Sequence, residues 1–216
     1  LQMRLIVFAK KDIQKDIDEI ETTTEATGLG GVVGNKGGLV VRFKCRGTTF
    51  AFISCHLAAH EGEKFRNQRN ANCYEVLEGG RVAIQQFDVC PQTDHVFWMG
   101  DLNYRIDFGK HGTEPEFKRT KELIAAGQLQ ALVDHDQLAQ ERNGFRVFAG
   151  FEEGAIDFPP TYRMLKKKDG YSNKKFQNPS YTDRCLWRSM AGVKDAVRLL
   201  RYGANFELKQ SDHRPV

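Results

Sequence analysis

The sequence predicts a layered α/β domain in which helices flank a central sheet. Short segments rich in β-branched and aromatic residues alternate with longer polar segments that carry spaced apolar residues, and the chain contains no internal repeat. Its 216 residues suffice for one sizeable core, and a content of 40% hydrophobic and 28% charged residues is typical of a globular protein. No stretch approaches the roughly 20 apolar residues of a membrane span, and no signal-peptide pattern is present.

The individual elements follow from composition and from turn and capping signals. Strands are predicted at residues 3–9, 39–44, 48–57, 95–99, 145–151 and 183–188. A turn at Arg46-Gly47 separates the second strand from the third. Helices are predicted over residues 63–86, and from a capping box at Thr113–Glu116 to Ala126. Residues 166–178 form a basic loop, and no linker divides the chain into two domains.

Charge and cysteine content narrow the class of partner and the compartment. The formal net charge of +4 is compatible with an anionic substrate or a membrane surface, and is too small to indicate nucleic-acid binding by itself. The five cysteines are odd in number, scattered and free of any C-x-x-C pair. Reduced thiols in the cytosol are therefore predicted rather than a disulfide framework.

Two patterns resemble known motifs but fail in detail. The glycine run at residues 28–38 contains no Gly-Lys-Ser/Thr and misses G-x-G-x-x-G by one residue, so a loop with unusual backbone angles is favoured over a nucleotide cradle. His56 and His60 have the spacing of a helical zinc pair, but the glutamate of H-E-x-x-H is missing between them and the segment follows a strand. Zinc is therefore the less favoured interpretation of these histidines.

Polar clusters follow several of the short apolar segments. They are Ser54-Cys-His56, Gly100-Asp-Leu-Asn103, Pro179-Ser-Tyr-Thr-Asp-Arg184 and, at the end of the chain, Ser211-Asp-His-Arg-Pro215. Strand ends present functional groups on a rigid base, so the clusters are candidates for one site. If the segment is extended, Asp101 and Asn103 point to the same side and can act on one water molecule.

Taken together and in order, these segments resemble the inositol polyphosphate 5-phosphatases of the DNase-I-like endonuclease/exonuclease/phosphatase superfamily. The resemblance covers nearly the whole chain and rests on TGLGGVVGNKGGLVVRF, SCHLAAHEGEKFRNQRN, VFWMGDLNYRID, FPPTYR, NPSYTDRCLWR and SDHRPV. G-D-x-N is shared across the superfamily, whereas N-Y-R-I and P-x-(aromatic)-x-D-R-x-L-W are diagnostic of the 5-phosphatase branch. The resemblance implies a four-layer sandwich of two mixed β-sheets flanked by helices.

The resemblance also implies hydrolysis of a 5-phosphate and assigns roles to the clusters. Asp101 is expected to be the general base that acts on the water molecule, and Asn103 to form hydrogen bonds around the same position. His213 is expected to contact the phosphate, with Asp183 fixing its imidazole. The complete catalytic set is His56, Asp101, Asn103, Asp183 and His213, with Arg184 and Asp212 in support.

The resemblance assigns substrate selection to three basic and aromatic residues, Tyr162, Arg163 and Lys175. The family's Lys is replaced by Arg163, the second basic residue of its pair by Gln177, and its Cys before the Asp-Arg pair by Thr182. The expected partners are a phosphoinositide in a membrane surface or a soluble inositol polyphosphate, and no nucleic acid. Leu29, Val32 and Val33 of the glycine-rich loop are candidates for peripheral membrane contact, and a buried turn is the equally favoured alternative.

The implied cofactor is Mg²⁺, and the resemblance places its chief glutamate ligand upstream of residue 1. Glu19 and Glu21 are predicted to lie in a loop and to play no part. Residues 1–216 are accordingly expected to be a single, N-terminally truncated and incomplete catalytic domain, with little activity of its own.

Two other functions stay open at this point. A nuclease of the same superfamily shares G-D-x-N and the Asp-His pair, although Tyr104-Arg105-Ile106 and residues 179–187 favour the phosphatase. A non-catalytic phosphoinositide-binding domain is disfavoured because each polar cluster is intact. The expected location is the cytoplasm, at the cytosolic faces of membranes.

Overall fold

A computed structural model of the chain describes residues 3–28 and 35–216. The strands among them are β1 (Ile17–Ala26), β2 (Gly37–Cys45), β3 (Thr48–His56), β4 (His95–Asp101), β5 (Glu152–Glu153) and β6 (Asp183–Ser189). The α-helices in this part of the chain are α1 (Glu63–Gly79), α2 (Glu114–Ala125), α3 (Leu129–Val133) and α4 (Gln137–Asn143). Short 3₁₀ turns lie at Gln14–Asp16, Cys90–Gln92, Lys174–Phe176 and Ala191–Ala196.

The described strands form one mixed sheet with the order β1-β2-β3-β4-β6-β5. Strands β2 and β3 form a hairpin whose two turn residues, Arg46 (φ 50°) and Gly47 (φ 84°), both have the left-handed conformation of a type I′ turn. Helix α1 carries the chain back across the sheet, so β3 and β4 pair in parallel, whereas β4 and β6 are antiparallel.

Alternation along the strands gives the sheet two unlike faces. One face is covered by α1 and the segment after α4, and its fully buried side chains form the main core together with Cys73 and Val76 of α1: Val40, Ile53, Trp98 and Leu186. The other face carries half-buried aromatic rings that stack across the strands, with centroids 5.9 Å apart for Phe43 and Phe52 and 5.3 Å apart for Phe52 and Phe97. His56 and Asp101 belong to this second face by the same alternation.

The α/β class is confirmed, as are the strands predicted at residues 39–44, 48–57, 95–99 and 183–188. The two predicted helices also form. The first ends at Gly79 rather than at residue 86, and Thr113 caps the second without a side-chain hydrogen bond. Of the predicted two-sheet sandwich, the described residues contain one sheet.

Three predictions of local structure are wrong. The apolar residues 3–9 form no strand, since they make no ladder with a neighbouring strand, and Phe8 is 89% exposed. Residues 145–151 form turns, because Phe145 and Phe148 have positive φ and Phe148 and Phe151 pack edge-on against the ring of Trp98. Glu19 and Glu21 do not lie in a loop but in β1, a polar edge strand that the absence of apolar alternation concealed.

Two further observations concern membranes. Within the described residues, none of the helices has the length and apolar character that crossing a bilayer requires. The proposed membrane-contact residues Leu29, Val32 and Val33 lie outside the described residues.

Substitution of Gly100 is expected to disrupt the sheet at the end of β4. Gly100 has a φ of 130°, and a Cβ atom there would lie 2.1 Å from the backbone oxygen of Cys55. Gly100→Ala should therefore lower the free energy of unfolding by about 1–3 kcal/mol, measured by urea denaturation. Gly192→Ala is the matched control, since a Cβ atom at that position meets nothing within 4 Å. Equal stability of the two variants would contradict this account of Gly100.

Candidate active site

The ends of three neighbouring strands meet at one edge of the sheet. His56 pairs with Asp101 in the β3–β4 register, and Asp101 pairs with Asp183 in the β4–β6 register. An open cavity of about 540 Å³ lies against this edge, and its lining includes Asp101, Asp183 and His213. The structure therefore brings together side chains that are up to 157 positions apart in the sequence, from His56 to His213.

Asp183 and His213 form a hydrogen-bonded pair. The Nδ1 atom of His213 lies 2.9 Å from Oδ2 of Asp183, and the His213 ring packs on Tyr162 with 4.5 Å between centroids. Burial acts to lower the pKa of His213, but the hydrogen bond and charge of Asp183, together with the carboxylate charges of Asp101 and Asp212, raise the pKa above its ordinary value. These carboxylates therefore favour the protonated form of the imidazole beside the cavity.

Asp101 is kept ionised by its neighbours. Its Oδ2 atom lies 3.2 Å from Nε2 of His56. Burial acts to raise the pKa of Asp101, but the hydrogen bond from His56 and the positive charges of His213 and Arg105 outweigh burial and lower the pKa. An ionised carboxylate at the end of β4 can therefore accept a proton from a bound water molecule.

Asn103 lies beside Asp101, but not for the reason expected from the sequence. The chain is not extended there, because β4 ends at Asp101 and Asn103 has a left-handed backbone with φ of 57°. The backbone N–H of Asn103 donates to Oδ1 of Asp101 at 3.1 Å, and the Asn103 side chain donates to the carbonyl of Leu57 at 3.2 Å. A turn closed on the Asp101 carboxylate thus replaces the predicted alternation.

Of the two supporting residues, Arg184 borders the cavity, but its guanidinium is bonded to groups outside this cluster. Alternation along β6 turns Arg184 to the face opposite Asp183, where it bonds Asp136 and Glu153, each at 2.7 Å. The Arg184 side chain is 1% exposed. Its role is to anchor β6 to α4 and β5.

The second supporting residue, Asp212, belongs to the surroundings of the predicted substrate residues. Its carboxylate accepts from Nε of Arg163 at 3.3 Å. Tyr162 precedes Arg163 in the chain, and its ring packs at a tilt on the ring of His213, the residue after Asp212. Lys175 is exposed and lies in a 3₁₀ turn with φ of 60°. Tyr162 and Arg163 therefore adjoin the site directly, whereas no hydrogen bond or ion pair among the described contacts ties Lys175 to it.

Sequence reasoning missed two cations of this site. The Nζ atom of Lys36, from the glycine-rich segment, contacts Nε2 of His56. Burial lowers the pKa of Lys36, and the charge of Asp101 opposes that effect. Arg105 is 2% exposed and donates from Nη2 to the side-chain oxygen of Asn103 at 2.6 Å. The lysine within G-N-K-G-G and the arginine of N-Y-R-I were the available signals, but both were used only to recognise a pattern.

One group of side chains among the described residues has the geometry to hold a metal ion. Ligand atoms of Asp101, Asp183 and His213 all lie within 4.8 Å of one another. Two carboxylates fit a hard divalent cation such as Mg²⁺, which binds through one or two carboxylates and retains several water molecules. His213 is the poorer ligand, because its Nδ1 atom is engaged by Asp183.

The fold and the site define a class: a mixed α/β protein of the DNase-I-like type, with an acid–histidine cluster where strands of the sheet end. Residues 1–216 match the family described as Endonuclease/Exonuclease/phosphatase family 2 over their full length. The chain belongs to this family, and the resemblance to inositol polyphosphate 5-phosphatases seen in the motifs is confirmed.

Individual relatives agree with this assignment. Phosphatidylinositol 3,4,5-trisphosphate 5-phosphatase 1 of Homo sapiens is 35% identical over 99% of this chain, and phosphatidylinositol 3,4,5-trisphosphate 5-phosphatase 2B of Danio rerio is 34% identical over 99%. The chain spans 18% of the length of each. A solved inositol polyphosphate 5-phosphatase domain of SPsynaptojanin, in complex with inositol (1,4)-bisphosphate and calcium ion, matches with a TM-score of 0.79 and 31% identity, covering 94% of this chain and 55% of that one.

The pairing of His213 with Asp183 predicts a raised pKa that depends on this carboxylate. In an NMR titration His213 should titrate above the ordinary histidine pKa, and Asp183→Asn should lower that value. Because the folded-state pKa is raised, the pair stabilises the fold fully below the unfolded histidine pKa. This contribution is lost as pH rises through the folded pKa. His135, which bonds the carbonyl of Ala131, is the internal control; an equal change at both histidines would contradict the assignment.

The position of Arg184 predicts a structural rather than a chemical defect. Arg184→Met leaves the buried carboxylate of Asp136 without its cation and Glu153 paired with Arg142 alone, so the free energy of unfolding should fall by about 3–5 kcal/mol. Lys118→Met removes an exposed pair with Glu114 and should change stability little. Chemical denaturation of both variants tests this difference. An Arg184→Met protein as stable as the wild type would contradict the structural role of Arg184.

Proposed function

We propose that this protein hydrolyses the 5-phosphate of phosphoinositides such as phosphatidylinositol 4,5-bisphosphate, or of soluble inositol polyphosphates. The observation that carries the proposal is the convergence of an ionised Asp101 and a hydrogen-bonded His213–Asp183 pair on one cavity. It is supported by the names of the relatives, which are phosphatidylinositol 3,4,5-trisphosphate 5-phosphatases, and by the inositol (1,4)-bisphosphate bound to the related synaptojanin domain.

The residues divide the chemistry between the two sides of the cavity. Asp101 orients a water molecule and accepts its proton, since it is held ionised by His56 and Arg105. His213 donates from its ring to the phosphate oxygens and offsets the charge that spreads over them in the transition state. Asn103, fixed by Arg105 on one side and Leu57 on the other, holds the turn that carries Asp101.

Mg²⁺ is the proposed cofactor, and the carboxylates of Asp101 and Asp183 are the described groups that would hold it. When bound, it would neutralise phosphate charge and stabilise the leaving alkoxide. We further propose that Arg163 and Lys175 select substrates carrying additional phosphates. The proposed location is the cytosolic face of membranes, with the segment containing Leu29, Val32 and Val33 in contact with lipid.

Phosphate release by the purified protein tests the proposal directly. With Mg²⁺ present, the wild type should release phosphate from phosphatidylinositol 4,5-bisphosphate vesicles or from inositol 1,4,5-trisphosphate, at the low rate expected of residues 1–216, and chelation should stop the reaction. Asp101→Asn should reduce kcat by about 100-fold or more, since it removes the proton acceptor. Asp134→Asn, a substitution of an exposed aspartate, is the matched control and should retain activity.

The competing functions give different results in the same assays. Cleavage of abasic DNA without phosphate release from either inositol substrate would assign a nuclease. Vesicle binding that is insensitive to Mg²⁺ and unaccompanied by turnover would assign a binding domain.

A further inference from the structure

Two buried threonine hydroxyls converge on the carboxylate that holds His213. Thr182 and Thr161 are both 0% exposed. Their Oγ1 atoms donate to Oδ2 of Asp183 at 3.0 Å and 3.2 Å. Oδ2 is the same oxygen that lies 2.9 Å from Nδ1 of His213, so it accepts three hydrogen bonds at once.

The backbones of the same threonines are tied to the residues that adjoin the site. The backbone N–H of Arg214, the residue after His213, donates to the carbonyl of Thr161 at 3.0 Å. The backbone N–H of Leu102, the residue after Asp101, donates to the carbonyl of Thr182 at 2.8 Å. Each threonine therefore links the Asp183 carboxylate to one of the two segments that supply the other charged groups.

This arrangement fixes a carboxylate that would otherwise rotate. Asp183 is the first residue of β6 and its side chain is 22% exposed, so the strand alone does not determine which oxygen meets His213. Two donors on Oδ2, from two different segments, fix the carboxylate plane and direct Oδ1 away from this contact. Valine would fill the same buried space without a hydroxyl.

We propose that Thr161 and Thr182 are positioning residues that hold the Asp183 carboxylate, and through it the His213 ring, in the orientation required for phosphate contact. The inference rests on the proposed function for its kinetic consequence, but its geometric part concerns this chain alone. Thr182 stands where the 5-phosphatase pattern usually has cysteine, whose thiol is a weaker donor, so this chain carries the stronger of the two restraints.

Isosteric substitution separates positioning from packing. The variants are Thr161→Val, Thr182→Val and the double variant, with Thr182→Ser and Thr161→Ser as conservative rescues. Thr120→Val is the matched control, because Thr120 is also 0% exposed and its hydroxyl bonds the carbonyl of Glu116 in a helix far from Asp183 in sequence. Urea denaturation of each protein confirms that comparisons are made between folded samples.

Two readouts are expected to move only in the Asp183-linked variants. In NMR spectra the proton on Nδ1 of His213 should broaden or shift upfield in the valine variants and remain as in the wild type in the serine variants and in Thr120→Val. In phosphate-release assays each single valine variant should lower kcat roughly tenfold, the effect of losing one hydrogen bond to a charged group, with KM nearly unchanged. Serine should restore kcat.

The outcomes separate this inference from the proposed function. An unchanged His213 proton signal in the double valine variant would overturn the positioning role whatever the activity is. An equal fall of kcat in Thr120→Val would likewise overturn it by showing a general packing effect. Absence of phosphatase activity in the wild type, with the His213 signal still altered by valine, would overturn the proposed function and leave the positioning role supported.

Discussion

The site depends on one constraint, the register of β4 between two unlike neighbours. β4 runs parallel to β3 and antiparallel to β6, and these two registers set Asp101 opposite both His56 and Asp183. Since side chains alternate, a slip of one residue on either side would turn a charged group of the site into the α1-packed core. Gly100 allows β4 to lie close to β3, because a Cβ atom at this position would clash with the backbone of Cys55. The core formed by Ile53, Trp98 and Leu186 on the opposite face therefore fixes the position of the candidate site at this edge.

Bringing two carboxylates to this edge requires compensating positive charge. Asp101 and Asp183 would repel each other in a partly buried setting. Lys36 lies on one side, in contact with the His56 ring that bonds Asp101, and His213 lies on the other side. The shifts run in opposite directions, with the pKa of Asp101 lowered and that of His213 raised. The same balance favours the ionised form of the Asp101 carboxylate and the protonated form of the His213 ring. Electrostatic stability of the edge and readiness for acid–base chemistry thus have the same origin.

Sequence reasoning predicted those features of the fold that depend on residues adjacent in the chain. The hairpin at Arg46-Gly47 and the apolar strand before Asp101 carry their own signals of turn chemistry and composition. β1 carries no such signal in its sequence, because an edge strand of threonines and glutamates needs no apolar alternation. Residues 3–9 have a strand's composition without a partner strand, so propensity misleads there. The clustering of His56, Asp101, Asp183 and His213 came from recognising ordered motifs, since spacing alone does not encode contacts across a sheet.

Asp183 and Arg184 are neighbours in β6 but belong to different parts of the structure, one to the candidate site and the other to the contacts that anchor the strand. Alternation places Asp183 at the cavity and Arg184 on the core side, where the guanidinium bonds Asp136, the cap of α4, and Glu153 of β5. Arg184 pairs with both buried carboxylates, and Arg142 also bonds Glu153, so the network holds only while these charges remain paired. It is therefore a rigid clamp rather than a source of net stability. Tyr202 extends the clamp, since its hydroxyl donates to Glu153 and accepts from the backbone N–H of Cys185. The strand that presents Asp183 is therefore anchored from behind by ionic contacts and in front by threonine hydroxyls, and the position of the carboxylate is set from both faces of the sheet.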